Sequence, residues 1–454
     1  MFSCLQAILI ALVTLSLLAQ TPSPPKRKKV KNFGSSLKRL KWNPEKNAAE
    51  LPSEKKNATS GDEEEDVIRI DTSLVSSDLL VVDQHEKIIL GLTADDFSIT
   101  EDGTPQTVTH FSTGDNVNVP RTIVLLIDYS GSQVPYLYNS INAAKVLVDK
   151  LGPKDLMAIV TDDVDLIQDF TNDKRKLKEK LDSILDEINP TARVIDSQGR
   201  SPSIRALIPH IGRSKQYSAL MATLNELFQQ ADIRRIIIFQ TDGDEAIYLR
   251  NPKVALTIPS GLTGATLQAA QEKLLLHQRL FPSNETQFSL EDLYRVVERQ
   301  RATLYTVIPG VRFWGLPLDE QVRKWNPAQL AQAPGWMGHL SAKKREELRN
   351  RIEKENQHID PIVVETNVDL ISKEQAILAS IASVSGGWSD NLEVPEQADA
   401  IYSRIFSDIN QRYIVGYYPT NKERDGKRRN IEFKVKGHTE YKVYGRFSYF
   451  APGP

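Results

Sequence analysis

The stretch Thr122-Ile123-Val124-Leu125-Leu126-Ile127-Asp128-Tyr129-Ser130-Gly131-Ser132 decides the fold. Its first six residues are apolar or β-branched and show no polar alternation. Such a strand must be buried on both faces, as at the centre of a parallel sheet. Just downstream, Val134, Leu137, Tyr138, Ile141, Ala144, Val148 and Leu151 fall at helical spacing, and Gly152-Pro153 ends that helix. Residues 156–161 then read as a strand, 174–188 and 218–230 as helices, and 235–239 and 304–308 as further buried strands. Strands alternating with helices predict an α/β fold with a doubly wound, mostly parallel sheet.

Upstream, short β-type runs at 67–71, 79–82, 98–100 and 107–111 surround the turn Glu101-Asp102-Gly103-Thr104-Pro105. They predict a small β domain over residues 67–118. The α/β domain is expected over 121–395, with insertions at about 245–284 and 311–369. The first insertion holds a helix around 267–280. The second holds Trp314, Trp325 and Trp336, which read as local core, and a charged helix over 341–357. Acidic and basic residues interleave in that helix, which describes a solvated face rather than a nucleic-acid surface. Residues 396–454 read as a helix and three closing strands, 413–418, 430–435 and 441–449, expected to pack on the small β domain.

Composition narrows the function. The 454 residues are 40% hydrophobic and 26% charged, and 57 Lys+Arg against 59 Asp+Glu leave a net charge of −2. No overall field recruits nucleic acid or an anionic membrane. The one cysteine, Cys4, lies in the N-terminal apolar run, which removes disulfide scaffolds, Cys-ligated zinc and thiol catalysis. The seven histidines show no metal-ligand spacing. Residues 1–20 read as a secretory signal, since the apolar run 5–19 is short for a membrane span. The basic cluster Lys26-Arg27-Lys28-Lys29 that follows it favours an uncleaved anchor instead. An extracytoplasmic location (periplasm, cell surface or secreted) is expected, with membrane contact only through such an anchor. Residues 21–66 read as a disordered charged linker, and Asn57-Ala58-Thr59 and Asn284-Glu285-Thr286 as glycosylation sequons.

The chemistry lies where strands end. Asp128, Ser130 and Ser132 close the first buried strand, and Thr241-Asp242-Gly243 closes the second. Loops at the carboxyl ends of neighbouring strands meet in one crevice of a doubly wound sheet. Oxygen donors without His or Cys suit a hard divalent cation, Mg²⁺ first, with Mn²⁺ or Ca²⁺ as alternatives. Asp162, Asp163 and Asp165 also group together, but lack the glycine and terminal glutamate of an EF-hand loop. Asp244 and Glu245 add charge beside the crevice.

Asp-x-Ser-x-Ser followed by Thr-Asp-Gly resembles the metal-ion-dependent adhesion site of von Willebrand factor type A domains. That family's intermediate Thr, at the start of a helix reading like Thr-Ala-Leu-Tyr-Asp-Ala-Leu, is matched here by Ser218-Ala219-Leu220-Met221-Ala222-Thr223-Leu224. Gln133 stands where the pattern more usually has Met. Residues 91–103, 413–419 and 445–450 look like segments of the exported type A-related proteins of Acidobacteria-like bacteria. The resemblance spans roughly residues 67–243 and 370–452 and does not account for the insertions. It implies that Ser130, Ser132 and Ser218 bind the cation directly, with Asp128 and Asp242 acting largely through water. Neutral oxygens in direct contact with the ion leave it under-neutralised, so an open coordination position attracts an Asp or Glu carboxylate of a protein partner. The implied role is a non-enzymatic binding protein. The competing expectation is a hydrolase using Ser130, Ser132 or a metal-activated water, although the sequence lacks a Gly-x-Ser-x-Gly elbow.

Overall fold

The computed structural model describes residues 30–50, 74–113, 120–188 apart from 131, 134 and 135, 214–229, 234–250, 286–325 and 361–452. Isolated positions between 260 and 271 and between 343 and 350 are also described. The expected signal at 1–20, the strand at 67–71, both sequons' asparagines, Gly131 and Trp336 lie outside the described residues. So do most of the expected helices around 267–280 and 341–357.

The chain opens with a short helix α1 (Ser35–Arg39) and the strands β1 (Lys41–Asn43) and β2 (Ala48–Glu50). Next come β3 (Val75–Val82), β4 (Phe97–Glu101), β5 (Thr104–Gln106) and β6 (His110–Ser112). The α/β part runs β7 (Arg121–Ile127), α2 (Leu137–Asp149), β8 (Leu156–Thr161), β9 (Asp165–Thr171), α3 (Lys174–Ile188), α4 (Gln216–Glu226) and β10 (Arg234–Gln240). It continues with α5 (Leu290–Gln300), β11 (Thr303–Pro309), α6 (Leu318–Lys324), α7 (Pro361–Val384), β12 (Ser389–Leu392) and α8 (Ala398–Asn410). The strands β13 (Tyr413–Tyr417), β14 (Arg428–Val435), β15 (Lys442–Tyr444) and β16 (Ser448–Phe450) close the chain.

The six-stranded sheet has the order β12-β11-β10-β7-β8-β9, and every pair is parallel except β8 with β9. The central place of β7 explains its unbroken apolar run. Ile123, Leu125 and Ile127 pack on one face with Ile141 and Val148 of α2, Leu181 of α3 and Ile405 of α8. On the other face, α4 packs against β7 and α7 against β11. Helices on both faces make the sheet doubly wound. Its switch point lies between β7 and β10, where the order of winding reverses, and Asp128 N donates to Gln240 O there at 2.9 Å.

The edge strand β9 turns back on β8 through a tight hairpin. Val164 sits at φ 64 and donates its amide to Thr161 O at 3.1 Å. Asp162 and Asp163 therefore belong to this turn. A β-branched residue in the left-handed region is rare, which is why the sequence there does not read as a hairpin.

The closing strands pair with the early ones. β13 lies antiparallel between β3 and β6, and β14 between β4 and β16. Along β14 buried and exposed residues alternate strictly, as expected for a sheet with one covered face. The core between the two sheets includes Phe97, Ile99, Tyr413, Val415, Ile431 and Phe433.

Two stretches differ from the sequence reading. Within the expected linker, residues 35–50 carry α1 and the β1–β2 hairpin. Glu226 of α4 accepts from Gly34 N at 2.9 Å and Ser36 N at 2.6 Å, an anchor that local composition does not reveal. The second expected insertion, 311–369, is entered by the 24-residue α7, which begins inside it at Pro361 and runs on to Val384.

Candidate functional site

The carboxyl ends of β7 and β10 present Asp128 and the Thr241-Asp242-Gly243-Asp244-Glu245 loop to one crevice. Asp128 is buried. Its Oδ1 accepts from Ser130 N at 2.9 Å, and its Oδ2 from Thr241 Oγ1 at 2.8 Å and Gln216 Nε2 at 2.6 Å. Ser130 Oγ and Ser132 Oγ are 3.0 Å apart, and Ser132 Oγ donates to Asp244 Oδ2 at 3.3 Å. Asp242 accepts from Gln133 Nε2 at 2.7 Å and from Gln216 Nε2 at 3.2 Å. A chain of contacts thus joins Asp128, Ser130, Ser132 and Asp242.

The fifth candidate has a different partner. Ser218 Oγ donates to Glu245 Oε1 at 2.9 Å, while Glu245 Oε2 accepts from Tyr217 N at 2.5 Å and Ser218 N at 3.1 Å. Glu245 so serves the free amides of the first turn of α4, where a negative charge is stabilised. Its own amide donates to Gln216 Oε1 at 3.3 Å, which locks the β10 loop to α4.

Gly243 has φ 84, a backbone conformation that favours glycine, and a Cβ there would lie 3.0 Å from both Tyr217 OH and Leu378 Cδ1. α7 therefore covers the loop, and it carries Glu374. Burial, reinforced by Asp242, pushes the Glu374 carboxyl up to about 9. Asp128 is raised well above the carboxylate range by burial, then by Asp162 and Asp242. Asp244 is raised in the same way by burial, then by Asp242 and Asp128. Asp162, which accepts from Tyr129 N and Ser214 Oγ at 3.1 Å each, is pushed by burial to about 6. Burial first, then Asp242 and Glu393, raises the Tyr136 phenol to about 12.

The site gathers buried carboxyl groups, several of them held above their ordinary range, among neutral donors: hydroxyls, carboxamides and backbone amides. Among the described residues no three His, Cys, Asp or Glu side chains are arranged to hold a metal ion by themselves. A cation here would need a mixed set of serine hydroxyls and aspartates, which is the chemistry of a hard ion. Ser130, Ser132 and the carboxylates of Asp128, Asp242 and Asp244 fit that requirement. Gln216, Glu374 and the interior role of Gln133 were not read from the sequence as parts of the site. Only the unusual residue type at position 133 signalled one of them.

No family model matches the chain, and no curated protein matches it. Solved structures similar to it include a von Willebrand factor type A protein from Catenulispora acidiphila, 10% identical. That match covers 85% of this chain and 75% of the other, with a TM-score of 0.32. The manganese-loaded TRAP protein of Plasmodium vivax is 10% identical over 77% of this chain and 97% of its own, with a TM-score of 0.28. BatB from Bacteroides thetaiotaomicron is 12% identical over 63% of this chain and 98% of its own, with a TM-score of 0.29. The chain itself has an α/β fold: a doubly wound, mostly parallel six-stranded sheet with additional antiparallel sheets.

Proposed function

We propose that this chain is a non-enzymatic binding protein whose crevice holds a divalent cation, Mg²⁺ or a similar hard ion, for docking an Asp or Glu side chain of a protein partner. The observation that carries this reading is the convergence of Asp128, Ser130, Ser132 and Asp242 at the switch point of the sheet, in a site burdened with buried carboxylates. Ser130, Ser132, Asp128 and Asp242 would hold the ion. Ser218 would join them only on exchanging Glu245 for it. The ion would supply a positive charge open to an outside anion. The bonds made by the serine hydroxyls support binding over catalysis: they run to one another and to Asp244, not to an imidazole base. An exported location remains part of the proposal and rests on the N-terminal apolar run. The kinship with the exported type A-related group rests on the quoted segments. No helix among the described residues is long and apolar enough to cross a membrane.

The test is thermal melting of the wild type and Asp128→Ala with Mg²⁺ and with chelator, beside partner capture from envelope extract under both conditions. At a hundredfold excess over Kd a bound ion stabilises by about 2.7 kcal/mol. The wild type is expected to show the shift and Mg²⁺-dependent capture, and the variant to fold but show neither. Equal Mg²⁺ responses in both proteins, or none in either, sink the proposal.

A further inference from the structure

Gln216 stands at the centre of the crevice. Its residue is 0% exposed, and Nε2 lies 2.6 Å from Asp128 Oδ2, 2.7 Å from Asp244 Oδ1 and 3.2 Å from Asp242 Oδ1. A carboxamide nitrogen carries two hydrogens, so three carboxylate oxygens converge on a donor that can serve two of them. Oxygens gathered on one NH₂ group in this way share a centre that a small cation could occupy, with the oxygens drawn in from hydrogen-bond distance to about 2.1 Å. The orientation of the amide follows from its other end, where Oε1 accepts from Glu245 N.

We propose that Gln216 is an internal competitor for the cation, holding the same carboxylate oxygens, so that an ion binds only as this carboxamide withdraws and Gln216 sets the affinity of the site. The inference rests on the cation reading of the preceding section and names the residue that tunes it. A second observation points to a ligand beside Asp242. Gln133, 1% exposed, donates Nε2 to Asp242 Oδ2, while its Oε1 is buried with no hydrogen-bond partner among the described residues. A buried carbonyl oxygen without a donor is costly, and a hard cation next to Asp242 would satisfy it. Competition also follows from charge: the amide gives each carboxylate a partial positive charge, which a divalent ion replaces with a full one only by taking its place.

The experiment uses the full chain, stripped with chelator and dialysed, with Mn²⁺ alone as the probe. Mn²⁺ affinity is titrated for the wild type, Gln216→Met and Gln216→Asn, and all three are melted in chelator and at saturating Mn²⁺. Gln216→Met removes the competing donor, and its Kd for Mn²⁺ is expected to tighten by about tenfold, the equivalent of one charge-assisted hydrogen bond. Gln216→Asn draws the amide back by one methylene and should shift the affinity the same way by less. In chelator both variants should melt below the wild type, because Asp128 and Asp244 lose a donor, and the gap should narrow with Mn²⁺. Weaker Mn²⁺ binding in both variants would show Gln216 to be a ligand and overturns the proposal, as does an unchanged Kd. If Gln216→Met does not fold, Gln216→Asn decides. Absence of Mn²⁺ binding in the wild type and the variants alike removes the cation reading as well, whereas normal binding with unchanged affinity removes only the competitor role.

Discussion

Arg412 is the joint between the α/β sheet and the antiparallel sheets, and its removal should be expensive. The guanidinium grips Asp408 at two points, Nε to Oδ1 at 2.6 Å and Nη2 to Oδ2 at 2.9 Å. Nη2 also donates to Gly386 O at 2.6 Å, and Nη1 reaches Asp78 O on β3 at 3.2 Å. Arg412 is 4% exposed and Asp408 2%, so solvent screens almost none of this. Arg412→Met strands a buried carboxylate and two carbonyls, a loss of about 3–5 kcal/mol. At ~2–4 °C per kcal/mol, the melting temperature should drop by roughly 6–20 °C. Asp408→Asn in the same background removes the stranded charge but keeps an acceptor for Trp388 Nε1, which donates to Asp408 Oδ2 at 3.0 Å. The double variant should therefore recover about 1–3 kcal/mol of the single loss. Urea unfolding followed by tryptophan fluorescence and circular dichroism measures both values. A single variant within about 1 kcal/mol of the wild type, or a double variant no more stable than the single, refutes the assignment of Arg412 as a structural joint.

Gly387→Ala should abolish folding, because the added Cβ would sit 1.9 Å from the Leu304 carbonyl oxygen and 2.8 Å from its carbon, both in the backbone of a central strand. Insoluble expression is expected, and a cooperative melt close to wild type would contradict the packing described. Asp162 should make stability depend on pH. Its carboxyl lies near 3.8 in the unfolded chain and about 6 in the fold, so the native state binds the extra proton and stability falls as pH rises through that window. With chelator present, Asp162→Asn should be more stable than wild type by about 1–3 kcal/mol at pH 7, the upper figure following from 1.36 kcal/mol per unit. The gain should vanish near pH 4, and a difference that is constant with pH, or reversed, disproves the burial account.

What the sequence disclosed depended on where burial was symmetrical. β7, β8, β10, β11 and α3 announced themselves because both strand faces, or one whole helix stripe, are apolar. β9 and β12 lie at the sheet edges, half-covered and polar, and left no such mark. The break of the last expected strand into β15 and β16 comes at Gly445, where a Cβ would press within 2.5 Å of Leu79. In the site, Asp128 and Asp242 were legible because loops at adjacent strand ends must meet. Ser218 was placed by motif spacing, which fixes a position on α4 but not the partner of its hydroxyl. Gln216 was invisible for the opposite reason: a carboxamide at a helix start is ordinary until three carboxylates are seen around it.

The arrangement of charge has a consequence that stability alone does not explain. Asp128, Asp244, Asp162 and Glu374 are all raised by burial, so each makes the fold less stable at neutral pH than a neutral side chain of the same shape would. Yet the carboxylates are held by geometry that serves them: Asp128 by the strand ladder, Asp162 by Tyr129 N, the Asp242–Asp244 loop by a glycine in the left-handed region under Leu378. Strain of this kind, gathered in one crevice and supported from several elements, is what the proposed cation would relieve. On the proposed reading, the ligand that relieves it is positive and takes hydroxyl and carboxylate oxygens together. A lysine from a partner would meet the first condition, but its three donors cannot serve Asp128, Asp242 and Asp244 along with the paired serine hydroxyls. The proposed divalent ion, with six or more positions, would meet both.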